Sequence, residues 1–278
     1  MRISIATATF YYLPFAQTLD IIARAGFRDI ELDLYWERDG SAMAEHLRDI
    51  SAREAVRMIA QAGLTVSSIH DLGGILEEEH SARGFINPRM AAYLDALDYA
   101  PECIVFHTPH FEMDRDQAWW QAALELIVQA TDVYRQRCAS MTIENLPLFD
   151  NCSAPFATPE DLMRFAVAHD FGVTVDTTHY GEIGMDLVQA TRALKGKVHT
   201  VHLSDYADGC THLFVGDGAL DLAGFMRELD PSVLSAITLE CTPARAGEDI
   251  AQFGPVEFID RLKEAKGRVL QLTSHLSS

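Results

Sequence analysis

Eight strand-like runs alternating with amphipathic helical stretches predict a (β/α)8 barrel, and two further observations narrow the choice. The strand candidates from the third to the eighth end in residues that can ligate a metal: His70, His107, Glu144, Asp176 with His179, His202, and Glu240. The longest candidate loops, Tyr35–Ile50, Gly73–Pro88, His110–Asp116 and Asp205–Ala219, all follow a strand. Only a closed ring of parallel strands brings such remote strand ends to one face, and barrels keep their chemistry on that face. A doubly wound open sheet is the weaker competitor.

In chain order, the strand candidates are Arg2–Thr7, Arg28–Leu34, Thr65–His70, Cys103–His107, Met141–Asn145, Gly172–Asp176, Val198–Ser204 and Ala236–Cys241. Helical periodicity fills the intervals in AQTLDIIARAG, AREAVRMIAQAG, MAAYLDALDYA, QAALELIVQATDVYRQR and TPEDLMRFAVAHD. The first two end in Ala-Gly pairs, where Gly26 and Gly63 can take the left-handed conformation that closes a helix. Thr158-Pro159-Glu160-Asp161 is the opposite signal, a cap followed by Pro and acids in a first turn.

At 278 residues and 48% hydrophobic, the chain can bury a large core, and residues 1–278 are expected to form one domain. With 22 basic against 41 acidic residues the formal charge is −19. Such a charge repels nucleic acid and anionic membranes, so neither partner is expected. Cys103, Cys138, Cys152, Cys210 and Cys241 stand singly, without a C-x-x-C pair, which points to reduced thiols and a cytoplasmic protein. The start, MRISIATATFYYLPF, lacks the apolar core and cleavage site of a signal peptide, and no apolar run is long enough to span a bilayer.

The chemistry rests first on Glu144 in MTIENLP, Asp176 in VTVDTTH, His202 in VHLSD and Glu240 in TLECTP. These residues end four consecutive strands, and burying three carboxylates together is expensive unless a cation neutralises them. A mixed oxygen and nitrogen set suits Mn, Co, Zn or Mg better than a thiolate-seeking metal. One divalent ion held by four protein ligands keeps positions for two adjacent oxygens of a hydroxy-ketone, whose enediolate it can stabilise.

The stretches ENLP at 144–147, DTTHYGEIG at 176–184, HLSDYADG at 202–209, HLFVGDGALDL at 212–222 and LEC at 239–241 resemble the xylose isomerase-like barrel superfamily. That superfamily includes sugar-phosphate isomerases and epimerases, inosose dehydratases, hydroxypyruvate isomerases and the endonuclease IV group. The resemblance is close over the fifth to eighth strands and loose over the first four. In its ketose 3-epimerase branch it implies that Glu144, Asp176, His202 and Glu240 hold one divalent metal and that Glu144 and Glu240 also move the proton. It further implies substrate contacts at Asp150 and His179, with His70, His107 and His212 in the same outer ring. The expected function is a metal-dependent isomerase or epimerase of a small sugar or polyhydroxy-ketone, and a homo-oligomer is compatible with this family.

Two departures bear on substrate. Where the epimerases carry an arginine six residues after the metal-binding histidine, this chain has Asp208, and Arg245 is the one candidate to supply the missing cation. Where endonuclease IV relatives have an aspartate two before His212, this chain has Cys210, although His70, His107, Glu144, Asp176, His179, His202, His212 and Glu240 match the other ligand positions of their three zinc ions. A zinc phosphodiesterase, a dehydratase of the inosose or dehydroshikimate type and a non-catalytic ligand-binding barrel therefore stand as alternatives. The −19 charge weighs against the first.

Four other features carry two readings each. Gly216-Asp217-Gly218 reads as a tight turn over the site or, without a following Lys, as a poor phosphate cradle. Glu77–Glu79 reads as a solvated face. Phe10, Tyr11, Tyr12 and Trp36 either wall a pocket or pack at its rim, and Glu31 and Asp33 either orient ligands or pair within the barrel.

Overall fold

Eight parallel strands close into a barrel in the computed structural model, which describes residues 1–35, 45–73, 85–111, 115–147, 153–156, 158–245 and 247–277. The strands are β1 (Arg2–Ala6), β2 (Asp29–Leu34), β3 (Thr65–Asp71), β4 (Cys103–His107), β5 (Ser140–Glu144), β6 (Gly172–Asp176), β7 (Val198–Leu203) and, after a hairpin of β8 (Asp205–Ala207) and β9 (Cys210–Leu213), β10 (Ala236–Leu239). Their order around the ring is β1-β10-β7-β6-β5-β4-β3-β2, so each neighbours its sequence partner and β1 meets β10. Observed and expected strand limits agree within two residues.

Helices cover the outside of the ring: α1 (Phe15–Arg24), α2 (Glu45–Arg48), α3 (Ala52–Gln61), α4 (Met90–Ala96), α5 (Gln117–Asp132), α6 (Pro159–Ala168), α7 (Thr177–Glu182), α8 (Leu187–Ala193), α9 (Leu222–Glu228) and α10 (Pro255–Leu272). Gly26 and Gly63 follow α1 and α3 at φ of 87° and 73°. The reciprocal capping box of Thr158 and Asp161 starts α6 with Pro159 in its first turn.

The strand period of two separates a mainly apolar outer face from a polar interior. Ile143, Val173, Val175, Val201, Leu203, Ile237 and Leu239 are buried in the apolar core with the helices. On the other face, the hydroxyls of Thr142 and Thr174 lie 2.7 Å apart, those of Thr174 and Thr200 2.5 Å, and those of Ser4 and Thr238 2.8 Å. Barrel interiors are usually filled by bulky branched side chains. Here small hydroxyl groups satisfy one another and form a floor beneath the strand ends.

One expectation is corrected. Asp205–Ala219 is not an uninterrupted loop: β8 (Asp205–Ala207) and β9 (Cys210–Leu213) pair antiparallel within it. Asp208 and Gly209 form the turn at φ of 51° and 79°. An Asp-Gly pair tolerates two successive positive φ angles, the geometry that matches the twist of a tight hairpin.

Candidate metal centre

Each of the four principal ligand candidates stands two residues beyond a floor threonine: Thr142 and Glu144, Thr174 and Asp176, Thr200 and His202, Thr238 and Glu240. The period of two therefore carries the side chains from the hydroxyl floor to one layer at the C-terminal mouth. One ligand atom from each of Glu144, Asp176, His202 and Glu240 falls within 4.8 Å of all the others. His202 Nδ1 lies 3.1 Å from Glu144 Oε2 and 2.9 Å from Glu240 Oε2.

The neighbours fix these groups from behind. Asn145 donates to the Asp176 carbonyl at 3.1 Å and accepts from the Asp176 backbone N–H at 2.9 Å, which locks the ends of β5 and β6 together. Asp176 caps α7 by accepting from the His179 N–H at 3.1 Å through Oδ1, leaving Oδ2 for the centre. Glu31 Oε1 stands 2.9 Å from His202 Nε2, while its other oxygen accepts from Ser68 at 2.7 Å. Asp33 Oδ1 stands 3.2 Å from His70 Nδ1, and its Oδ2 accepts from Thr7 and from the Ala8 N–H. Of the two readings left open for Glu31 and Asp33, both contain part of the answer: they are wholly buried in the barrel, and they orient histidines.

The outer histidines share one arrangement. His107, His179 and His212 each place Nδ1 against a backbone carbonyl, that of Gly73 at 2.9 Å, Asn145 at 2.9 Å and Glu240 at 3.0 Å. The proton therefore belongs on Nδ1, and Nε2 is turned away from the backbone. These rings complete two further groups that could hold a metal ion: His70, His107 and Glu144, and Asp176, His179 and His212. His212 takes a left-handed φ of 47°, a cost accepted where the surrounding structure holds a side chain in place. His70 lies deepest, fully buried 2.9 Å from Glu144 Oε2. Asp150 lies outside the described residues.

The charge balance tests whether a cation fits. Both oxygens of Glu144, Asp176 Oδ2, Glu240 Oε2 and both ring nitrogens of His202 are buried without a well-formed hydrogen bond among the described residues. Burial alone would raise the carboxyl pKa values. For Glu144, the charges of His202 and His70 overcome burial and hold it well below the usual range, and His202 likewise brings Glu240 down to about 2. Burial wins at Asp176, which is raised in spite of His179 and His212. Burial would lower His179, but Asp176 and then Glu144 lift it to about 9; burial takes His107 down to about 3. Protonated rings thus carry the positive charge that the carboxylates demand. Oxygen and imidazole donors left unpaired around one point fit a divalent ion, which would replace those protons.

Above the centre opens a cavity of about 940 Å³, lined by Glu240, His107 and His212 and by Tyr11, Tyr12, Tyr35 and Ile250. Sequence reasoning singled out Tyr11 and Tyr12 but missed Tyr35 and Ile250, whose proximity depends on the ring closing. Phe10 is fully buried against Phe258, with ring centroids 5.8 Å apart, and Trp36 and Glu77–Glu79 lie outside the described residues. Arg245 does not line the cavity; it pairs with Asp217 and Glu264 and stacks over Phe214. The Gly216-Asp217-Gly218 segment is the tight turn: Asp205 accepts from the N–H groups of Tyr206, Gly216 and Leu220. A Cβ on Gly218 would fall 2.4 Å from Asp205 Oδ1. Those amides serve an internal carboxylate and are not a phosphate cradle.

Fold and site define a (β/α)8 barrel with groups at its C-terminal mouth that could hold a metal ion. The chain belongs to the xylose isomerase-like TIM barrel family, whose model matches residues 19–256. No curated protein matches it. Among solved structures it is similar to the IolI protein with a bound zinc atom, at 14% identity and a TM-score of 0.73 over 99% of each chain. It is also similar to D-psicose 3-epimerase with D-tagatose from Clostridium cellulolyticum H10, at 15% identity and a TM-score of 0.69 over 98% of this chain and 99% of that one. For L-ribulose 3-epimerase the values are 16% and 0.68, over 99% and 95%. At these identities the likeness establishes the fold.

Proposed function

We propose that this protein is a divalent-metal-dependent isomerase or epimerase of a small polyhydroxy-ketone. The observation that carries the reading is the convergence of Glu144, Asp176, His202 and Glu240, with unpaired buried donor atoms, beneath a cavity into which Glu240 opens. Bound by these four residues, a dication would supply a Lewis acid for two adjacent substrate oxygens and so ease loss of the proton between them. Mn, Co, Zn and Mg all suit the donor set.

The chain's own groups divide the remaining work. Glu240, with a side chain 15% exposed at the cavity, is ionised at neutral pH and placed to take a proton from a substrate carbon. Glu144, 1% exposed, is the second proton carrier: while Glu240 holds the proton it removed, Glu144 would pass to the carbon a proton drawn from His70, whose Nε2 lies 2.9 Å from it. His107 and His212 reach the cavity with Nε2 free to accept hydrogen bonds from substrate hydroxyls, and His179 stands behind them. The sugars named with the similar structures, D-tagatose and L-ribulose, make ketohexoses and ketopentoses the first panel to assay. Glu240→Gln should lower proton exchange into the substrate in deuterated water by about 10²–10⁴-fold, with the metal retained. Exchange at the wild-type rate would overturn the assignment. A dehydratase would share this first step and differ in expelling a hydroxyl, which the same NMR spectra would show.

A second reading is favoured by the two additional groups around His70–His107–Glu144 and Asp176–His179–His212. Three zinc ions in this arrangement would support phosphate ester cleavage. Elemental analysis of protein purified without chelator separates the readings: one equivalent of metal supports the isomerase, and three of zinc the phosphodiesterase.

A further inference from the structure

The cavity above the metal centre has a lining of two chemical kinds. Its ionisable groups are Glu240, His107 and His212, with Thr9 and Thr242 also in the lining. Its aromatic and aliphatic lining is built by remote segments: Tyr11 and Tyr12 after β1, Tyr35 after β2, and Ile250 from a short 3-10 helix after β10. Tyr11 and Tyr12 are 36% and 42% exposed, and their rings meet edge to face with centroids 5.5 Å apart. Tyrosines presented side by side in a concave site supply rigid contact area at little conformational cost.

Charge narrows the occupant further. No lysine or arginine lines the cavity among the described residues. Arg245 and Arg268 are both committed to Asp217 and Glu264 with their guanidinium groups over Phe214. Among the described residues the lining therefore offers the charge of an anionic substrate no lysine or arginine as partner.

Resting on the hydroxy-ketone reading above, we propose that the substrate is an uncharged hydroxy-ketone bearing an apolar, ring-sized substituent, with its oxygens at Glu240, His107 and His212 and its ring against Tyr11, Tyr12 and Ile250. Phosphorylated sugars are then poor ligands, and unsubstituted small sugars leave the apolar wall wet.

Three probes test this by calorimetric titration of the protein as purified with its native metal: hydroxymethyl phenethyl ketone, dihydroxyacetone and dihydroxyacetone phosphate. The phenethyl compound should bind roughly tenfold or more tightly than dihydroxyacetone, as expected for burying one aromatic ring, and the phosphate should bind most weakly. Tyr12→Ala and Ile250→Ala, each checked for an unchanged circular dichroism spectrum, should remove most of that preference. Tyr12→Phe should keep it. Tightest binding of the phosphate, equal binding of all three probes within about threefold, or a preference untouched by both alanine variants would overturn the proposal. Proton exchange measured by NMR on the same samples is a separate readout. Preferential binding without exchange would support the apolar wall while defeating the isomerase reading, and exchange without preference would do the reverse.

Discussion

Glu31 Oε1 lies 2.9 Å from His202 Nε2, on the side of the ring opposite the Nδ1 that faces Glu144 and Glu240. A carboxylate behind a ligating histidine fixes ring orientation and raises its basicity. Glu31→Gln should therefore weaken metal affinity by about 10–100-fold without unfolding the barrel, measured by competition with a fluorescent chelator. Wild-type affinity in the variant would show that Glu31 only fills the interior.

Removal of metal should destabilise the protein. A ligand at about 100 times its dissociation constant adds about 2.7 kcal/mol to stability. For a chain of this size that corresponds to a melting temperature about 5–10 °C lower after chelation, restored by adding metal back. A melting curve that chelator leaves in place would speak against a bound ion.

Asn145 ties the two strand ends that carry Glu144 and Asp176. Asn145→Ala removes both hydrogen bonds and leaves the Asp176 N–H and C=O without them. A loss of about 2–4 kcal/mol by denaturant titration is expected, together with weaker metal binding. If stability fell but metal affinity held, the bridge would be structural alone.

Gly172 begins β6 against His199: a Cβ there would lie 2.5 Å from Nδ1, the atom placed 2.7 Å from the Ser140 hydroxyl. Gly172→Ala should cost about 1–3 kcal/mol through overpacking. The second substitution His199→Ala should recover part of it in a double-mutant cycle. Additive costs would place the strain elsewhere.

His46 predicts an acid-sensitive contribution to stability. Its Nδ1 donates to the Leu13 carbonyl at 2.9 Å, its ring meets Phe15 edge to face, and burial lowers its pKa below the ordinary histidine value. Below about pH 6.5 the unfolded chain takes up a proton that the folded chain refuses, so this stability is present above that pH and lost as pH falls toward the lowered folded value. The slope cannot exceed about 1.4 kcal/mol per pH unit for one proton. Comparing wild type with His46→Gln between pH 7 and pH 5 isolates the term; parallel curves would contradict it.

By itself the sequence determined the barrel, because two local periods, two for strands and near four for helices, are written in side-chain polarity and survive without tertiary information. Its strand-end pattern also brought out Glu144, Asp176, His202 and Glu240, since a carboxylate or imidazole after an apolar strand demands a partner. The repeated threonine two positions before each of them was a readable signal of the same inward face that went unused. Only tertiary structure decided what stands behind and above that layer. Glu31 reaches His202 across 171 positions of sequence because the ring closes, and Tyr11 and Ile250 line one cavity because β1 lies beside β10. Arg245 was a candidate cation until folding delivered Asp217 and Glu264 to it. Local sequence sets which face a side chain occupies; what it touches there depends on chain closure, which carries no local signature.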